Sequence, residues 1–320
     1  MPVAKDHGSA GARLAAMGIG TNMWGRGGRP LPGIGKVLAS AIDAEICLVD
    51  TAEIYARGGS ERSIGLALAD DRALAAKAVI LSKFFPWPWR LSKKDLGKAL
   101  KGSLARLGME RLDIYLLHYP LGPLALETWV EALADVVDSG LVASVGISNC
   151  DADQVRRAHA TLAKRGIPLA CDEIEYSLLN RRSERDGTLA ACNELGVRVI
   201  AYRPLALGLL PASSPTIAGF RKIMAPRTER SGLLELRELV AKIGEAHGGK
   251  TTSQVALNWA MRKGTIPIPG ATKLGHLEEN AGALGWELGP GEVEALDRAS
   301  DRATGLLPRA PLPSGLAPGP

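Results

Sequence analysis

Short apolar, β-branched runs recur along this chain, each followed by a polar stretch whose apolar residues fall at helical spacing. The runs are LAAMGIG ending near Gly20, ICLVD at Asp50, AVILSK at Lys83, LDIYLLH at His118, VASVGISN at Asn149, LACDEIEY at Tyr176, VRVIAYRP at Pro204 and TIPIPG at Gly270. They predict eight strands. Most lie roughly 30 residues apart, the length of a strand and its returning helix. The last interval is longer and leaves room for an extra loop before a helix beginning near Thr252. ERSIGLALA and TSQVALNWAMRKG are the clearest helices, the second ending in Lys and Gly. Strict alternation of strand and helix predicts a parallel sheet, and eight units predict an α/β fold of the (β/α)8 TIM-barrel type as one domain over residues 1–300. An open doubly wound sheet is the alternative, but Gly18, Gly20 and Gly25 do not form the GxGxxG that it would need after its first strand. From Asp301 the chain is rich in Pro, Gly and Leu, so residues 301–320 read as a C-terminal tail that is either a disordered end or a flap over a pocket.

Composition narrows the setting. With 46% hydrophobic and 23% charged residues the chain reads as an ordinary globular protein. It has no apolar run long enough for a membrane span, and its first twenty residues lack the apolar core of a signal peptide, so a cytoplasmic protein without membrane contact is expected. Cys47, Cys150, Cys171 and Cys192 are scattered, with neither CxxC nor metal-ligand spacing; reduced thiols and no metal follow. The net charge of +5 is interspersed with acids. That pattern suits an anionic small molecule and not nucleic acid.

Candidate chemistry sits where the runs end. Asp50, Lys83 and His118 close three successive runs, and Tyr55 follows Asp50 closely. In a barrel all four would meet at one mouth. Each alone has a plain structural role, as an N-cap, a solvated lysine or a packed histidine. Together they make an acid. An ammonium at Lys83 would lower the pKa of a Tyr55 phenol, Asp50 would keep that lysine charged, and His118 would orient a carbonyl oxygen for protonation by Tyr55. The stretch VILSKFFPWPWR places Phe84, Phe85, Trp87 and Trp89 just after Lys83. Pro86 and Pro88 would stiffen that loop and hold the two tryptophans as an apolar rim, unless the pair only covers a neighbouring helix.

LVDTAEIYARGGSERSIGLAL, ILSK, RLDIYLLHYP, GLVASVGISN and IPIPGATKLGHLEENAGALGW occur in this order, and with them the chain resembles the aldo-keto reductase superfamily from about Met17 to Ser300, most closely its PIPGA-type bacterial and plant-chloroplast branch. The resemblance implies a monomeric barrel that binds NADPH or NADP+ without a Rossmann domain, with NADH as the alternative, and that reduces an aldehyde or ketone. It implies Tyr55 as proton donor, Lys83 and Asp50 as its tuning pair and His118 as the carbonyl-orienting group. Cofactor would be held by Gly20, Thr21, Asn22, Asp50, Ser148, Asn149 and Glu173. The segment after the seventh strand would add Tyr202, Arg203, Pro204, Leu205, Leu207, Gly208 and Leu209, with Tyr202 stacked on the nicotinamide. Ile268, Gly270, Ala271, Thr272, Lys273, His276, Glu279 and Asn280 would surround the adenosine end, where the start of a helix also offers N–H groups to phosphate. Trp24, Tyr55, Phe84, Phe85, Trp87, Trp89, His118 and Tyr119 would wall the substrate pocket.

The chain departs from the family pattern in three places. Glu173 stands where Gln is usual and Arg203 where Ser is usual, so an ion pair between them is expected. Gly270 and His276 replace the usual Lys and Arg, leaving Lys273 and His276 to hold a 2′-phosphate. Two other functions compete: a non-catalytic NADP(H)-binding regulatory barrel, and an aldolase-type barrel with Lys83 as Schiff-base nucleophile.

Overall fold

The computed structural model describes residues 15–209 and 232–303. Eight strands run in chain order: β1 Gly18–Gly20, β2 Leu48–Asp50, β3 Val79–Phe84, β4 Leu112–Leu117, β5 Val142–Ser148, β6 Leu169–Glu175, β7 Arg198–Tyr202 and β8 Thr265–Pro267. Every neighbouring pair is parallel, in the order β1 to β8. A parallel bridge between Gly20 and Gly270 joins the two edges, with Gly20 N donating to Pro269 O at 3.1 Å. The barrel is therefore closed, and the open doubly wound alternative is excluded. Glycine is needed at this seam, because a Cβ on Gly20 would stand 2.8 Å from Ile268 O.

Both faces of these strands are covered, which explains why they read as continuous apolar runs. Leu48, Leu81, Ile114, Leu116, Cys171, Ile200, Ile266 and Ile268 form a small separate cluster, the filling of the barrel. A larger core lies between the strands and the outer helices and includes Trp129, Tyr115, Val145 and Trp259. The helices start where their caps dictate. Asp151 accepts from Gln154 N at 2.9 Å while Gln154 Oε1 accepts from Asp151 N at 3.0 Å, opening the helix Ala152–Ala163; Thr251 and Gln254 repeat the exchange before Thr252–Arg262.

The side-chain period of two sets the site. Counting inward-facing positions from the barrel filling, Leu48 leads to Asp50, Leu81 to Lys83, Leu116 to His118 and Cys171 to Glu173. Four polar side chains thus reach the C-terminal mouth from four strands. Asp301, expected to begin the tail, lies in the last turn of the helix Pro290–Ala303; the remainder of that tail, like most of the long segment after β7, lies outside the described residues.

Candidate active site

A cavity of about 330 Å³ opens at the C-terminal ends of the strands. At its base Lys83, fully buried, donates to Asp50 Oδ1, to Thr51 O at 3.0 Å and to Tyr55 Oη at 3.2 Å. Thr21 supports this base from behind: its hydroxyl donates to Asp50 O at 2.7 Å and bonds Ser60 Oγ at 2.7 Å. Tyr55 is half-buried, its ring edge-on to His118 with centroids 5.8 Å apart.

The electrostatics follow from burial. Desolvation alone would lower Lys83, but Asp50 chiefly outweighs it and holds the ammonium above the ordinary lysine range. Burial pushes Asp50 up, with Lys83 opposing, and pushes Glu173 well above the carboxylate range with help from Asp50. Burial and the nearby Lys83 charge hold His118 well below its usual value, so the imidazole is neutral. Tyr55 departs from the sequence expectation. Burial raises it, Asp50 adds to the rise, and Lys83 opposes them without overcoming them, so the phenol stays protonated. The ammonium is largely neutralised by the acids around it.

The wall above Lys83 comes from β5, β6 and β7. Ser148 Oγ donates to Glu173 O at 2.8 Å, Asn149 Nδ2 donates to His118 O at 3.1 Å, and Tyr202 Oη donates to Asn149 Oδ1 at 2.8 Å. Asn149, Arg203, Ala206 and Leu207 have φ between 50° and 61°, and Ala56 and Arg57 beside Tyr55 have φ of 49° and 58°. These are left-handed conformations that side chains adopt at a cost, gathered on the loops that shape the mouth.

Of the residues expected at the cofactor, Gly20, Asn22, Asp50, Ser148, Asn149, Glu173, Tyr202, Arg203, Pro204, Leu205, Leu207, Ile268 and Gly270 line the cavity. Thr21 is buried behind it, and Gly208, Leu209, Ala271, Thr272, Glu279 and Asn280 lie off its wall. Lys273 and His276 are exposed beyond it. Ile54 and Pro269 also line it; their positions next to Tyr55 and Gly270 were the available signal.

Two expectations are corrected. Arg203 does not pair with Glu173: its Nη1 is 3.6 Å from Glu175 Oε1, while Glu173 Oε2 is 3.3 Å from Lys83 Nζ. Successive strand residues face opposite sides, but Glu175 shares the face of Glu173 one step nearer the rim, where the longer Arg203 side chain reaches it. The expected substrate wall is also mostly elsewhere. Tyr55, His118 and Tyr119 line the cavity, but Trp24, Phe84, Phe85, Trp87 and Trp89 do not. Trp24 is fully buried and donates Nε1 to Ala271 O at 2.6 Å. Phe84 faces outward onto Trp129, centroids 4.9 Å apart. Glu53 clamps the following loop, accepting from Phe85 N at 2.7 Å and from both Arg90 Nη1 at 2.5 Å and Nη2 at 2.9 Å. From Phe85, which packs beside His118, Trp87 and Trp89 step outward as a ring stack, the last pair 4.9 Å apart and 5° from parallel.

The geometry also bears on the competing functions. A Schiff-base lysine needs a free neutral amine, and Lys83 is a charged ammonium with its donors engaged. Among the described residues no cluster of His, Cys, Asp and Glu could hold a metal, and no helix is long and apolar enough to cross a membrane.

Residues 16–301 match the sequence profile of the aldo/keto reductase family. The chain belongs to that family. As an aldo/keto reductase it is an oxidoreductase, similar to the chloroplastic pyridoxal reductase of Arabidopsis thaliana, at 35% identity over 90% of this chain and 83% of the relative. It is similar also to the aldo-keto reductase yakc [NADP(+)] of Schizosaccharomyces pombe, at 31% over 87% of this chain and 86% of that one. Among solved structures, the aldo/keto reductase barrel matches the thermostable aldo-keto reductase Tm1743 with a TM-score of 0.72 and 31% identity, over 89% of this chain and 95% of the other. It matches the Klebsiella pneumoniae aldo-keto reductase in complex with NADPH with a TM-score of 0.69 and 29% identity, over 93% of each chain.

Proposed function

We propose that this aldo/keto reductase reduces an aldehyde or ketone to an alcohol with NADPH, using Tyr55 as general acid. The observation that carries the reading is the meeting of Asp50, Tyr55 and His118 on one cavity, with Lys83 buried beneath them and donating to the phenol oxygen. When bound, NADPH supplies the hydride. Because Tyr55 Oη accepts from Lys83, its own proton is left to be donated into the cavity, toward an oxygen that gains negative charge. Lys83 then stabilises the phenolate, and Asp50 holds the ammonium in place. Neutral His118 can donate one N–H to the carbonyl oxygen and orient it.

The cavity suits the cofactor. Among the described residues, buried His118 Nδ1 and Glu173 Oε2 have no hydrogen-bond partner of ordinary geometry, and the same cavity is lined by amide and hydroxyl groups and by the apolar Ile268 and Leu205. Ser148, Asn149 and Glu173 would hold the amide-bearing ring, Tyr202 would lie against its face, and exposed Lys273 and His276 would meet the 2′-phosphate. The relatives named for NADP(+) and bound to NADPH support this choice over NADH.

The substrate would be a carbonyl compound small enough to share the cavity, with Tyr55, His118 and Tyr119 around the reacting group and the Trp87–Trp89 stack outside as a rim for ring-shaped compounds. Pyridoxal belongs in the test panel because of the Arabidopsis relative. Four free cysteines fit a reducing compartment such as the cytoplasm. The test is NADPH oxidation by a panel of aldehydes and ketones. Tight NADPH binding without turnover of any of them would favour the regulatory barrel instead.

A further inference from the structure

One ammonium stands between two buried carboxyl groups. Lys83 has three N–H donors, and they are committed to Asp50 Oδ1, Thr51 O and Tyr55 Oη. Glu173 Oε2 lies 3.3 Å from the same nitrogen yet receives no hydrogen bond of ordinary geometry among the described residues. Its side chain is only 2% exposed. An ionised Glu173 would thus have at Oε2 only an ion-pair contact to an ammonium whose donors are already used, next to a second carboxylate, with a single cation for two anions. Protonation removes both costs: the acid gains an O–H to donate, with Asp50 held against the same ammonium.

We infer that Glu173 is a neutral acid in this protein, sharing one proton with Asp50 across Lys83, and that as a positioning residue it ties the cavity's preference between oxidised and reduced cofactor to pH. The charged and titratable groups around it leave no other candidate for that proton. Asp50 of β2 takes the Lys83 hydrogen bond directly and is the carboxyl better held as an anion. Tyr55 after β2, Tyr119 after β4, Tyr202 of β7 and Cys171 of β6 are all raised by burial and stay protonated; His118 is neutral; Arg203 is turned to Glu175. Burial and Asp50 raise Glu173 well above the ordinary carboxylate range while Lys83 opposes them, which favours the protonated acid. Losing the proton adds a negative charge to the cavity wall. That charge favours a cationic oxidised nicotinamide over the neutral reduced ring.

The cofactor part rests on the function proposed above; the protonation does not, and the experiment separates them. Infrared spectra of the cofactor-free protein should contain a protonated-carboxyl band at neutral pH that is missing in Glu173→Gln. Asp172→Asn serves as control, because Asp172 is a second buried acid raised to about 8 and must account for a different band. Identical carboxyl bands in wild type and Glu173→Gln at neutral pH would overturn the inference. Dissociation constants for NADP+ and NADPH are then measured by protein fluorescence across pH. Their ratio should shift toward NADP+ by about tenfold as the wild-type band disappears, and stay constant in Glu173→Gln. A ratio that moves equally in both proteins, or in neither, removes the coupling to cofactor. Failure to bind either cofactor would count against the proposed function while the band still reports the protonation.

Discussion

Lys83 Nζ donates to Tyr55 Oη at 3.2 Å, and this hydrogen bond settles which way the phenol proton can go. The oxygen is an acceptor toward the lysine and a donor toward the cavity. Tyr55→Phe removes that donor and little else. Its turnover number should fall about 10²- to 10⁴-fold with NADPH affinity unchanged, as steady-state kinetics and fluorescence titration would measure. A variant that keeps its rate would remove Tyr55 from the mechanism.

Lys83→Met should damage stability as well as activity. It strands Asp50 without its cation and in contact with the Glu173 carboxyl. Breaking a buried pair from one side costs roughly 3–5 kcal/mol. Adding Asp50→Asn should return part of that loss without restoring turnover, a non-additivity readable from denaturant unfolding.

Asp172 points a prediction at the opposite face of β6. It is fully buried near Cys150 and Cys192, and burial pushes it up to about 8 although the Cys150 backbone opposes the rise. The folded protein therefore keeps a proton that the unfolded chain has already released. Its contribution is fully present below the unfolded value near 4 and declines by about 1.4 kcal/mol per pH unit until the pH passes about 8. Asp172→Asn should flatten this decline. Unfolding free energies of the two proteins at several pH values between 5 and 9 would test it, and parallel curves would show that Asp172 is ionised throughout.

Trp89 is 69% exposed at the end of the ring stack that begins at Phe85. Trp89→Ala should leave the melting temperature nearly unchanged, since little buried surface is lost. It should lower kcat/KM for a bulky aromatic aldehyde more than for a short aliphatic one. A uniform change across substrates would make the stack packing alone.

Much of this arrangement was legible in the chain. The eight runs match the eight strands because barrel strands are covered on both faces, and the polar ends at Asp50, Lys83 and His118 stand out against that apolar background. The aromatic loop was legible only in part. Its crowding after Lys83 was plain, but its direction depends on Glu53, whose carboxylate gathers Phe85 N and Arg90 and holds the rings off the cavity wall. Nothing in local spacing reveals such a long-range clamp.

The sequence alone determined that polar side chains from successive strands would meet at one mouth, because side-chain alternation and parallel order leave no other place for them. Only the tertiary structure decided their charge states. Asp50, Lys83 and Glu173 come from β2, β3 and β6, and their approach across the closed barrel sets the desolvation and the Coulomb terms together. Those terms depend on distance and burial, not on residue type. For that reason Glu173 turned to Lys83 and not to Arg203, and the Tyr55 phenol is raised by burial where the sequence led one to expect Lys83 to lower it.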